Sequence, residues 1–248
     1  MRIRFTVVVA LAAAVLAVPA AAETIESAEQ AISALWEKVD TFTGAMEMRG
    51  SAERGGVAFK QAGTGTVETM KKGDTMLFRT NLTMKMDMGG QTMEQKMLSV
   101  FDGEYVYTQM DMMGTPMVMR MKPDVNSAMT VGSGKAMFAE LRKVYDLELL
   151  PDETVDDEPA YVFQMTMKEN AEAPHQTAKK MKMYFSKKTG LQRKMVVFDE
   201  ADKPIMTNTF KDIVLNPTIA PERFKYAAPP GAQIMDMGNM GSMGQPGQ

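Results

Sequence analysis

The chain has no cysteine, one histidine and one tryptophan among its 248 residues. Without cysteine there are no disulfides, no thiolate metal sites and no thiol on which a lipid anchor could be built. His175, the lone imidazole, follows Pro174 in a polar stretch, so there is no histidine cluster for a metal-bound water and no Cys-His pair. Charge bias is weak as well. Lys and Arg number 28 against 31 Asp and Glu, a formal −3 with lysines spread along the chain, which argues against nucleic acid as the main partner. Beyond the first 22 residues no apolar run is long enough to span a bilayer.

What the chain has in excess is methionine, 28 residues of it. Methionine fills irregular gaps in ordinary cores and is seldom their main constituent, so the excess points to an adaptable apolar surface. Its clearest instance is Thr75 to Met88. Met76, Phe78, Leu82, Met84, Met86 and Met88 fall on one parity, with Thr80 the polar member; Arg79, Asn81, Thr83, Lys85 and Asp87 fall on the other. Such a period of two predicts a long strand with one apolar face.

At the start, Arg2 and Arg4 precede an uncharged apolar run from Phe5 to Val18 and then Ala20, Ala21 and Ala22. A basic start, an apolar core too short for a bilayer and an Ala-x-Ala end predict a secretory signal peptide over residues 1–22, cut after Ala22, and a mature protein that is released rather than anchored. Next, Ile25, Ala28, Ile32, Leu35, Trp36 and Val39 are spaced as in an amphipathic helix from about Glu26 to Asp40, with Ser27 or Thr24 as its cap.

Thr43 to Gly50 and Gly65 to Lys71 read as strands around a loose Glu53 to Gly56 segment. Thr92 to Phe101, Glu104 to Met112 and the stretch of Met117, Met119 and Met121 continue a meander whose turns are Gly89-Gly90, Asp102-Gly103 and Gly114-Thr115-Pro116. Helical spacing returns in Met137, Phe138, Leu141, Val144 and Tyr145, with Ser133 as candidate cap. Strands resume at Leu147 to Leu150, Tyr161 to Lys168, Lys179 to Ser186, Leu191 to Phe198 and Ile205 to Leu215, with turn-rich segments such as Pro151 to Pro159 between them. The expected architecture is mainly β (α+β): one curved antiparallel sheet with helices on one face. Residues 23–232 form one domain on this reading, and the Gly- and Met-rich residues 233–248 a disordered tail.

The C-terminal third carries a resemblance. Lys188-Thr189-Gly190-Leu191, Phe210-Lys211-Asp212-Ile213 through Asn216-Pro217, Ile219 to Tyr226 and Pro229-Pro230-Gly231-Ala232 resemble the closing segment of outer-membrane lipoprotein-sorting proteins, the LolA/LolB-like superfamily. The leader, the opening helix and the Asp102-Gly103 hairpin with Tyr105 and Tyr107 are similar to the same family. The resemblance implies an unclosed half-barrel with helices covering its mouth. It also implies a periplasmic carrier of lipoprotein acyl chains or lipid, with transient inner- and outer-membrane sorting partners and no cofactor. Lys72 to Arg79 looks like the family segment whose arginine contacts the lid, which would give Arg79 that role.

Burial physics points the same way, since moving an acyl chain out of water is favourable by about 0.8 kcal/mol per methylene. The expected cavity wall comprises Met76, Phe78, Leu82, Met84, Met86, Met117, Met119, Met121, Phe163, Met165, Met167, Met181, Met183 and Phe185, with Leu35, Trp36, Met137 and Phe138 from the helices above it. The plain alternative is that these side chains fill a core.

Three other readings compete. Thioethers select Cu(I), and Met86-Asp87-Met88, Met110-Asp111-Met112 and Met235-Asp236-Met237 nearly repeat; a copper site would draw mostly on the tail, at Met235, Met237, Met240 and Met243. Asp152, Glu153, Asp156, Asp157 and Glu158 cluster between two prolines as a solvated loop does, and Gly132-Ser133-Gly134 lacks the Lys-Ser/Thr ending of a phosphate loop, so no enzyme is expected. Finally, the same fold could sense lipid or lipoprotein for a membrane partner rather than carry it.

Overall fold

Helix α1 (Ile25–Trp36) starts on a reciprocal cap: the Ser27 N–H donates to Thr24 Oγ1 at 3.2 Å and the Thr24 N–H to Ser27 Oγ at 3.0 Å. Two backbone donors that a helix start leaves open are thereby satisfied. Ala28, Ile32 and Trp36, at i, i+4 and i+8, are its buried stripe. The helix ends a turn earlier than the apolar spacing predicts, and Val39 is buried from the link that follows. In α2 (Gly134–Val144) the buried side chains are Met137, Phe138, Leu141 and Val144. This computed structural model describes residues 23–54, 57–73, 75–112, 115–123, 134–171 and 178–237; the leader, Ser133, His175, Met240 and Met243 lie outside them.

Twelve strands make one sheet among the described residues. They are β1 (Thr41–Arg54), β2 (Val57–Lys72), β3 (Thr75–Met88), β4 (Gln91–Phe101), β5 (Val106–Met112), β6 (Thr115–Met121), β7 (Tyr145–Val155), β8 (Glu158–Met167), β9 (Lys180–Ser186), β10 (Gln192–Phe198), β11 (Pro204–Leu215) and β12 (Gln233–Asp236). Their spatial order is β12-β6-β5-β4-β3-β2-β1-β11-β10-β9-β8-β7. Every pairing is antiparallel except β12 with β6, and β12 and β7 are edges that do not meet. The result is the expected mainly β half-barrel, unclosed, with the two helices against its inner face.

β11 returns to β1, and Asn216 fixes that return. With φ at +53°, a left-handed conformation asparagine tolerates, its Oδ1 accepts from the Asp40 N–H at 2.8 Å while its Nδ2 donates to the Lys38 carbonyl at 3.0 Å. The Asn-Pro step of the closing motif thus ties the end of β11 to the exit of α1. At Gly65, β2 and β3 come so close that a Cβ would lie 1.8 Å from the Asn81 carbonyl oxygen, so only glycine fits that line.

Three local expectations are corrected. Glu53 and Arg54 are not loose: β1 runs through Arg54 and pairs with β2 along its whole length. Pro151 to Pro159 is not a turn-rich loop either, because β7 continues to Val155 and β8 begins at Glu158. The edge position of β7 leaves the missing proline N–H without consequence, and Asp156-Asp157, at φ of 48° and 62°, make the two-residue turn. The acids there are paired, Glu158 and Asp156 with Arg193 at 3.0 and 3.6 Å, and Asp152 with Lys187. Lastly, disorder does not begin at residue 233. Gln233–Asp236 add a parallel strand to β6, held by an ion pair between Asp236 and Arg120.

Candidate ligand-binding face

Register places the inner-face side chains in rows that run from strand to strand. One row is Met93, Met86, Gln61, Gly50, Met206, Val197, Met181, Met165 and Leu147, from β4 through β3, β2, β1, β11, β10, β9 and β8 to β7. The next is Met84, Gly63, Met48, Asn208, Met195, Met183, Phe163 and Leu149. Residues opposite one another on adjacent strands have Cβ atoms about 5 Å apart, so these are ladders of neighbouring side chains, each interrupted once by a glycine, at Gly50 and at Gly63.

At the C-terminal end the ladders are sealed. Met165, Met183, Phe163 and Phe185 are fully buried and Met181 is 1% exposed. Phe138 of α2 closes them, its ring 5.1 Å from that of Phe163 and 5.6 Å from that of Phe185. Trp36 of α1 meets Phe42 edge-on at 6.1 Å, and Gly190 passes so close to α1 that a Cβ would sit 2.8 Å from the Ile32 carbonyl oxygen. Tyr145, at the junction of α2 and β7, donates to the Ala178 carbonyl at 2.8 Å, and burial pushes its phenol up to about 12.

Along β3 and β4 the same face opens. Met76, Phe78 and Leu82 are buried, Met84 and Met86 half-buried, and Met93 is 49% exposed. Met97, Met110, Met117, Met119 and Met121 are half-buried too. Between the two regions lies a groove of about 290 Å³ lined by Gly50, Phe59, Gln61, Met86, Val197, Ile205 and Met206. No group of three or more His, Asp or Glu suited to a metal occurs among the described residues.

The expected wall is therefore distributed over both regions. Trp36, Met76, Phe78, Leu82, Met137, Phe138, Phe163, Met165, Met181, Met183 and Phe185 belong to one buried cluster, with Met84, Met121 and Met167 packed against it. Leu35 is half-buried over Gly190; Met86 reaches the groove; Met117 and Met119 lie on the open side. Met235, half-way along β12, is opposite Met119, and Met237 is 36% exposed. Sequence reasoning missed Met46, Met48, Met97, Met110, Met195 and Met206, all on the inner parity of strands it otherwise located. The same period-two count applied to those strands finds them.

Arg79 has a different neighbour from the one the resemblance implies. On the outer parity, its Nη1 donates to the Arg223 carbonyl at 3.3 Å. That carbonyl belongs to the closing segment, which crosses the outer face: Arg223 forks onto Glu68 at 2.9 and 2.7 Å, and Tyr226 stacks on Tyr107 at 4.7 Å and donates to Gln109 at 3.0 Å. A second groove, about 570 Å³, is lined by Thr64, Thr66, Asn81, Thr83, Lys96, Gln109 and Asp111 together with Leu82, Met97 and Leu98, a lining of mixed polarity.

No family model matches the chain. An uncharacterized protein of Methanocaldococcus jannaschii is 29% identical over 143 residues, 58% of this chain and 39% of that protein, so the chain spans about two-fifths of the length of the curated relative it matches. Among solved structures, an uncharacterized conserved protein from Thermus thermophilus is similar over 85% of this chain and 99% of its own, with a TM-score of 0.51 and 11% identity. That likeness is one of fold. A putative outer-membrane lipoprotein-sorting protein domain from Vibrio parahaemolyticus also matches, over 79% of this chain and 94% of its own, with a TM-score of 0.40 and 12% identity.

Proposed function

We propose that the protein is a periplasmic carrier that shields acyl chains of lipoproteins, or lipids, on the open methionine-rich part of its inner face. One observation carries this reading: the inner face that is sealed at β8 and β9 runs on to half-buried methionines of β3 to β6, with an adjoining apolar groove. An apolar face kept accessible costs stability unless it binds something, and thioether side chains with many rotamers accept varied chains without a tight fit. Release needs the same looseness. The closing-segment resemblance supports the reading. Transient membrane partners would load and unload the carrier, and no step calls for a catalytic group.

The test is displacement of a fluorescent fatty acid, with native mass spectrometry of the purified protein to identify bound lipid. Met84→Asp and Met119→Asp place a carboxylate on the open face, where half-exposure lets the chain fold. Both should lose acyl binding, because a charge beside hydrocarbon is costly. Unchanged binding in both would refute the assignment of this face. Transfer of a lipoprotein from inner-membrane vesicles to an acceptor separates a carrier from a sensor.

A further inference from the structure

We infer that Met97, Met110 and Met117 form a thioether site for Cu(I) on the open face. β4 pairs Met97 directly with Met110 of β5, and β5 pairs Met110 directly with Met117 of β6. The set is bounded: the next position on one side is Leu82 of β3, and on the other Gln233 of β12. All three side chains are half-buried, within reach of a small ion.

Burial alone does not account for the choice of residue. On the outer parity of β4 and β6 the fully buried positions are Val100 and Val118, the β-branched residues a strand favours. The inner parity of the same strands carries Met93 and Met97 on β4, beside Gln95, Ser99 and Phe101, and Met117, Met119 and Met121 on β6. Strands lie about 4.8 Å apart, so the two outer Cα atoms of the trio are roughly 10 Å apart. Three rotatable bonds let Met97 and Met117 lean over Met110 and bring three sulfurs onto one ion. Neutral, soft, polarizable donors of this kind select Cu(I) over harder divalent ions. Thioethers also have no proton to lose, so binding is insensitive to mild acid, unlike binding by His, Cys or carboxylate. In the sealed region, Met181 with Met165 and Met195 with Met183 are also opposite one another, but Met165, Met181 and Met183 are closed to solvent.

The experiment is anaerobic titration of the protein with Cu(I) against a chromogenic Cu(I) chelator, at neutral and mildly acidic pH. One equivalent should bind at both pH values. Met110→Leu, which keeps apolar volume, should weaken binding by at least about tenfold, the scale on which even supporting residues of a metal site act. Met84→Asp, which lies outside the trio and should lose acyl binding, should keep its one equivalent of Cu(I), so the two proposals fail separately. Absence of stoichiometric Cu(I) binding would overturn the site. So would binding that survives Met97, Met110 and Met117 all changed to Leu, or binding that requires Met240 and Met243 instead.

Discussion

Met181 and Met86 occupy the same cross-strand row, yet one is 1% exposed and the other half-buried against a groove. The two parts of the sheet are held from opposite sides. Around β8 and β9 the inner face packs under α2 through Phe138, while α1 meets the start of β1 through Trp36. Around β2 to β6 the bracing comes from outside, where Arg223, Tyr226 and β12 of the closing segment grip Glu68, Tyr107, Gln109 and β6. Support from behind leaves the inner methionines of that part half-buried, which the proposed carrier role requires. The same residue type is therefore sealed core in one place and half-buried surface in the other, and what decides is which face the neighbouring segment covers.

The sharpest break of this comparison is truncation on each side. Phe163→Ala removes a fully buried ring packed between Phe138 and Phe185, and should cost about 3–5 kcal/mol in urea unfolding. Met86→Ala, on the open side, should cost about 1 kcal/mol or less, since part of its surface is already wet. Equal losses would mean the open side is core as well.

Tyr145 gives a smaller and pH-dependent contrast. Burial pushes its phenol up to about 12, and Tyr184, buried on the outer face of the same region with Glu153 near by, is also pushed to about 12. In the unfolded chain a tyrosine ionises near 10, so above that pH the unfolded state binds fewer protons than the folded one. Stability is thus fully present below about pH 10 and falls as pH rises through about 12. Tyr145→Phe should remove one of the two late steps in an ultraviolet phenolate titration. It should also cost about 1 kcal/mol at neutral pH for the lost bond to Ala178.

Much of this architecture was legible because its signals are local. β3 has the boundaries the period of two predicts, since the pattern is unbroken and Gly73 and Gly89-Gly90 turn the chain at either end. Parity also placed Arg79 outside, and parity held against the lid contact that the resemblance implies. Which methionines are sealed was not legible: period two tells the side a residue faces, not what lies over it. The extra strand at Gln233–Asp236 escaped notice for a similar reason, because its partners, Met117 to Arg120, lie over a hundred residues earlier and its own composition resembles a loose tail. The return of β11 beside β1 likewise rests on Asn216 meeting Lys38 and Asp40, a contact no window of sequence contains.

The mildest perturbation concerns the outer bracing. Glu68→Gln keeps the shape of the side chain but removes the charge that the Arg223 fork meets. The pair is partly exposed, at 46% for Arg223 and 21% for Glu68, so water screens it and the loss should be under about 1 kcal/mol. Because Tyr226 still stacks on Tyr107 and β12 still pairs with β6, the segment should stay in place. The variant should therefore lose most of its deficit in high salt, where the wild-type pair is weakened too. Acyl binding on the inner face should not change. A large fall in acyl affinity from so small a change outside would show that the bracing sets the shape of the inner face, coupling the two sides of the sheet.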